Sequence, residues 1–277
     1  MPIIPNGFGS GAPLLSVAAP APTSSVVFTP PANGVAYQGG PVPSAPTVYL
    51  VFWGRWWNSA KVVGRDGAYS YSPRHAQRYV RSFFARIGAS PLAGVLTQYG
   101  AATRHASTLR RAYVDISHPV PAHPTSDQIA AEAERIARQL RVPVSAATTV
   151  VVLTPQGHVN PTMQSEWCGY HDIATLGTRS FPYISLPYLP ARASCGRDAV
   201  NPPDPFGHGY FDGMSIIGAH EYAETQTDPL FTGWYDLNAN EIGDKCAWDP
   251  SLGNVTLAGQ FYAVQPIWSN ATQSCVM

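Results

Sequence analysis

The spacing of apolar positions divides the chain into alternating strands and helices. Thr47-Val-Tyr-Leu-Val-Phe-Trp53 is an unbroken run of apolar, β-branched and aromatic residues, the pattern of a strand buried on both faces. Over residues 73–87 the period changes. Tyr79, Val80, Phe83, Phe84 and Ile87 recur at helical spacing, and Pro73 suits a first turn. Residues 111–117 alternate like a strand. Thr125-Ser-Asp-Gln then opens a helix through residue 141, with Thr125 or Ser126 as cap and Ile129, Ala133, Ile136, Ala137 and Leu140 on its buried face. Residues 148–154 read as a second fully apolar strand, 181–189 as a shorter one bounded by prolines, and 260–269 as the last. Before that last strand, Asp212-Gly-Met-Ser-Ile-Ile-Gly-Ala-His-Glu-Tyr-Ala-Glu-Thr-Gln-Thr-Asp-Pro229 predicts a helix capped by Asp212 or Ser215 and stopped by Pro229.

Strands that alternate with helices predict an α/β fold with a mostly parallel sheet flanked by helices. Strand, helix, strand, helix, strand, strand and then a His-Glu helix is also the layout of zincin-type metallopeptidases, so a zincin-like domain is expected over residues 46–277. Residues 1–45, rich in Pro, Gly, Ala and Ser and without periodicity, predict an extended N-terminal arm.

Composition narrows the class. Lys+Arg and Asp+Glu both number 17, and no basic run breaks the balance, so there is no electrostatic reason to expect nucleic acid or an anionic membrane as partner. Only 12% of residues are charged, while Pro (27), Gly (24) and aromatic residues are abundant, which suits a loop-rich extracellular protein. No stretch approaches the roughly 20 apolar residues that span a bilayer. Residues 1–25 lack the basic start of a signal peptide, the pattern left by a removed leader or by a pro-segment. The four cysteines, Cys168, Cys195, Cys246 and Cys275, all lie in the C-terminal half and form no C-x-x-C pair. Two disulfides are expected, and sequential pairing is favoured because each bond then closes a loop of modest length.

His220, Glu221 and Glu224 form H-E-x-x-E on the predicted 212–229 helix. Residues four apart lie one turn above each other, so His220 and Glu224 can reach one ion, while Glu221, rotated about 100° away, is placed to act as general base. Zinc accepts carboxylate oxygens, so the second carboxylate in place of a histidine is chemically allowed. A third ligand is expected downstream, with Glu241 ranked ahead of Asp228, and Asp244 orienting a ligand. Tyr235 or His208 are candidates to stabilise an oxyanion. Asp236, Asn238 and Asn240 place oxygens at alternate positions, a candidate calcium loop, although a plain hydrogen-bonded turn is the favoured reading. His171, beside Cys168, is within reach of the site, but a structural histidine is the favoured reading. A chance H-E-x-x-E on an amphipathic helix is the plain alternative for the motif. The strongly apolar Ser215-Ile-Ile-Gly-Ala before His220 argues against it, because a buried polar cluster needs partners or a metal.

Several ordered motifs resemble the EXORDIUM or phosphate-induced protein 1 family and its bacterial and fungal secreted relatives. They are Val48-Tyr-Leu-Val-Phe-Trp-Gly54, Trp167-Cys-Gly-Tyr-His171, Gly218-Ala-His-Glu-Tyr-Ala-Glu224, Gly233-Trp-Tyr, Glu241-Ile-Gly-Asp-Lys-Cys246 and Val264-Gln-Pro-Ile-Trp-Ser269. The resemblance implies secretion, paired cysteines and a shared H-E-x-x-E core. Family members tend to carry Asn-Pro where this chain has Asp228-Pro229, which favours Glu241 over Asp228 as ligand. The sequence therefore predicts a secreted, monomeric zinc peptidase acting on peptide or protein substrates. Its rival is an extracellular binding or cell-wall signalling protein with a structural ion.

Overall fold

A computed structural model describes residues 33–101, 109–160 and 167–277. In chain order, β1 (Ala36–Tyr37) and β2 (Thr47–Trp53) precede the small hairpin of β3 (Gly64–Asp66) and β4 (Tyr69–Tyr71). Then come α1 (Pro73–Phe84), the short α2 (Pro91–Val95), β5 (Leu109–Asp115), α3 (Ser126–Gln139) and β6 (Thr148–Leu153). The hairpin of β7 (Tyr170–Leu176) and β8 (Arg179–Ser185) leads to α4 (Asp212–Thr227) and β9 (Trp234–Tyr235). Two further hairpins follow, β10 (Gly253–Leu257) with β11 (Gln260–Val264) and β12 (Ile267–Ser269) with β13 (Ser274–Val276).

The central sheet has the order β5-β2-β6-β8-β7. Its first four strands are parallel, and β7 runs antiparallel to β8 at one edge. All six residues of β6, Thr-Thr-Val-Val-Val-Leu, are buried, as a strand covered on both faces requires. On one face Val51, Val150, Val152 and Tyr183 pack with Ile129, Ala133 and Ile136 of α3. On the other, Leu50, Val151 and Ile184 share a core with Phe83 and Phe84 of α1 and Ile216 and Ile217 of α4.

Every residue of α4 is buried. A helix enclosed on all sides has no polar face to show water, which is why its sequence lacks the one-sided stripe of α1. Its start differs from the expectation: Phe211 is the N-cap and no side chain caps it. The Asp212 carboxylate instead accepts hydrogen bonds from the backbone N–H groups of Val200, Asn201 and Gly209 and from Asn201 Nδ2. Ser215 Oγ donates to Ala263 O at 2.6 Å. In a buried helix both side chains serve neighbouring segments that have no water to bond. Gly213 lets α4 lie against the Cys195 turn, since a Cβ there would stand 2.1 Å from Cys195 O.

The disulfides are sequential, Cys168–Cys195 and Cys246–Cys275. Other boundaries shift for local reasons. α1 ends at Phe84, and Ile87 belongs to a separate 3-10 turn, Ile87–Ala89. The expected strand at 260–269 is two strands, interrupted at Gln265-Pro266, where proline lacks the ladder donor. The expected arm is partly woven into the domain: Val35 is buried and β1 pairs with β9. Residues 1–32 lie outside the described residues. Among the described residues no helix is long and apolar enough to cross a membrane. The two disulfides are consistent with an extracellular protein.

Candidate metal centre

One turn of α4 separates His220 from Glu224, and the helix brings His220 Nε2 to 3.2 Å from Glu224 Oε1. The third partner is Asp244, from the 3-10 turn Asp244–Cys246. Its Oδ1 lies 3.6 Å from His220 Nε2, and its backbone N–H donates to Glu224 Oε1. Three contacts hold this loop over the helix. Trp268 N–H donates to Ile242 O, Gln265 Nε2 donates to Gly243 O, and Cys246 is bonded to Cys275. Gly243 permits the close approach, because a Cβ there would stand 2.8 Å from Glu224 Oε1 and 3.0 Å from the His220 ring.

His171 closes the other side. It sits in β7 opposite Ile184, and directly paired residues of an antiparallel ladder share a face, so its ring points toward α4. His171 Nδ1 is 3.3 Å from Glu221 Oε2 and 3.4 Å from Glu224 Oε2, and Nε2 is 3.5 Å from Glu241 Oε2. The sequence favours a structural role for this histidine, and β7 is what aims it into the cluster. The signal for that strand was present. Gly177-Thr178 is a two-residue connection with Gly177 at φ +66°, which is hairpin chemistry.

Among the described residues, two sets of three potential ligand atoms lie within 4.8 Å of one another: His220, Glu224 and Asp244, and His171, Glu224 and Glu241. Glu241 therefore joins His171 rather than His220. A tetrahedral ion with bonds of about 2.0–2.1 Å needs ligand atoms about 3.3 Å apart, and the 3.2 and 3.6 Å separations around His220 Nε2 fit that. His220 Nδ1 has no hydrogen-bond partner among the described residues, so this ring lacks the orienting acceptor common at metal ligands.

The cluster is almost wholly removed from water, with the side chains of His171, His220, Glu221, Glu224, Glu241 and Asp244 at most 6% exposed. Burial alone would neutralise both histidines, yet Glu241, Glu221 and Glu224 hold His171 well above its ordinary value. Glu224, Glu221 and Asp244 do the same for His220. Burial pushes the carboxyls of Glu221, Glu241 and Asp244 up. Glu224 goes the other way: burial opposes its charge, but His220 and His171 outweigh it and hold it well below the usual range.

The remaining candidates lie elsewhere. Asp228 is the C-cap of α4, and its Oδ1 accepts from the Thr232 and Gly233 N–H groups, both at 2.6 Å, as a turn former. It belongs to neither ligand set. His208 Nδ1 pairs with Asp204, and its ring packs among Phe206, Tyr79, Phe261 and Tyr262. Tyr235 sits in β9 opposite Ala36. Neither has a hydrogen bond to the cluster among the described residues. Asp236 accepts from Asn238 N, Asn240 N and Asn240 Nδ2 and is ion-paired with Lys245 at 3.1 Å, the arrangement of a neutralised turn. Comparison of the chain with family models, with curated proteins and with solved structures gave no match.

Proposed function

We propose that the chain is a secreted metal-dependent hydrolase of peptide bonds, zincin-like in architecture and related to the EXORDIUM family its motifs resemble. The observation that carries this reading is the set His220, Glu224 and Asp244, with Glu221 on the next helical position and outside both ligand sets. A divalent cation held there would polarise a substrate carbonyl and acidify water. Asp244 takes the part first expected of Glu241. The Glu221 carboxyl, raised by burial and touching His171, is suited to accept a proton from an attacking water and return it to the leaving amine. β7 pairs only with β8 among the described residues, so an extended peptide has a sheet edge on which to align beside His171.

A second reading, an extracellular binding or signalling protein with a structural ion, is favoured by one observation: the ligand side chains are nearly inaccessible to water. The two readings separate on Glu221. Glu221→Gln keeps the shape of the side chain and removes no member of either ligand set, so bound metal should be retained while peptide cleavage falls on the order of 10²–10⁴-fold. Glu224→Gln should lose metal as well. Cleavage that survives Glu221→Gln overturns the proposed role. Wild type that binds metal and cleaves no peptide in a broad library leaves the structural-ion reading.

A further inference from the structure

Glu224 belongs to both ligand sets, and it meets them with different oxygens. Oε1 faces His220 Nε2 at 3.2 Å and receives the Asp244 N–H, while Oε2 faces His171 Nδ1 at 3.4 Å. We propose that the cluster is a dinuclear centre, in which Glu224 bridges one cation held with His220 and Asp244 and a second held with His171 and Glu241. The inference rests on the reading of the first position as a metal site.

Two observations beyond the grouping of side chains point to the second ion. His171 Nε2 and Glu224 Oε2 are buried and make no hydrogen bond of acceptable geometry within the described residues. His171 Nε2 lies 3.5 Å from Glu241 Oε2, and Glu224 Oε2 lies 3.4 Å from His171 Nδ1, so each is directed at another member of the second set. A buried polar atom without a hydrogen bond is costly, and two such atoms within one set of potential ligands mark a missing ligand. Charge gives the second argument. Glu221, Glu224, Glu241 and Asp244 are four buried carboxylates, and Lys245, the nearest base in sequence, is engaged with Asp236. With both imidazoles as neutral ligands, two divalent cations match the charge of the four carboxylates. Bridging carboxylates of this kind hold ions roughly 3.5–4 Å apart. Mixed imidazole and carboxylate donors suit borderline first-row cations such as zinc or manganese.

The test is metal stoichiometry of the intact, disulfide-bonded chain after chelation and reloading with zinc or manganese. Wild type should bind about two equivalents, and the manganese form should show the paramagnetic resonance spectrum of a spin-coupled pair. His171→Gln should fall to about one equivalent with His220 still occupied, and Asp244→Asn should fall to about one from the opposite side. Circular dichroism and disulfide mapping check that each variant is folded, and the wild-type spectrum decides the matter even where a variant is not. One equivalent in wild type with an isolated-ion spectrum overturns the dinuclear centre and leaves the single-ion hydrolase standing. No bound metal overturns both. A His171→Gln protein that still binds two equivalents places the second ion elsewhere and overturns the assignment.

Discussion

Glu132 of α3 is buried beside Arg135, which also reaches Asp115 at the end of β5. One guanidinium thus serves two carboxylates, and they respond in opposite directions. Burial raises the Glu132 carboxyl to about 7 against the partial offset of Arg135. At Asp115 burial is outweighed by the Ser117 hydrogen bonds and Arg135, and the value is lowered. A carboxyl that holds its proton more tightly when folded favours the folded state below its unfolded value, and that advantage is lost as pH rises. Between about 4.5 and 7 the unfolded chain releases the Glu132 proton first, so stability declines across that window and is level above it. Glu132→Gln should therefore shrink the difference in unfolding free energy between pH 5 and pH 8 by about 1–2 kcal/mol, after allowance for solvent screening. Urea titrations of both proteins at the two pH values measure it. An unchanged difference means that Glu132 is already ionised at pH 5. None of this is legible in the sequence, because Arg135 meets Asp115 only once α3 has packed beside β5.

Between elements, the loop over α4 is fixed by a glycine. Gly243 has an ordinary helical φ of −76°, so alanine there is not strained in its backbone; the conflict is its Cβ against Glu224 Oε1 and the His220 ring. Gly243→Ala should weaken zinc binding roughly 10–100-fold, the range seen when support behind metal ligands is lost. Isothermal titration of the folded variant gives the number, and wild-type affinity would show that the loop yields. Elements with strong periodicity were legible: β2 has the bounds read from its apolar run, and α3 begins with the Thr125–Gln128 capping box. α4 was legible by composition, and with it His220, Glu221 and Glu224. β7 was not, because an edge strand of Tyr-His-Asp-Ile-Ala-Thr-Leu mixes polar and apolar positions on both faces. Asp244 was recognised as an auxiliary group but not as the partner of His220. Which histidine each carboxylate of the short loop meets depends on contacts from Gln265 and Trp268, more than twenty residues away.

At the scale of the whole molecule, the cluster lies where α4, the sheet edge and the C-terminal hairpins meet, so its charge state bears on the stability of them all. Cations bound only by the folded chain stabilise it by mass action, about 4 kcal/mol at a thousandfold excess over the dissociation constant. For a chain of this length, stripping metal with a chelator at neutral pH should lower the melting temperature on the order of 10 °C. Calorimetry with and without chelator tests it, and an unchanged transition would show that the folded chain gains nothing from metal. The restraints on the 241–246 loop also impose an order of events. Gln265, Trp268 and Cys275 all follow the ligands that they secure. While a ribosome is still extending the chain, His220 and Glu224 are already made, but the loop of Asp244 lacks the three restraints that fix it over α4. At roughly 5–20 residues per second, the interval from residue 244 to residue 275 lasts a few seconds. The oxidation that joins Cys246 to Cys275 then waits on an oxidising compartment. If the cluster is the proposed metal site, the nascent chain therefore carries it incomplete, and the loop of Asp244 is fixed only after the C-terminal hairpin is made and Cys246 and Cys275 have paired.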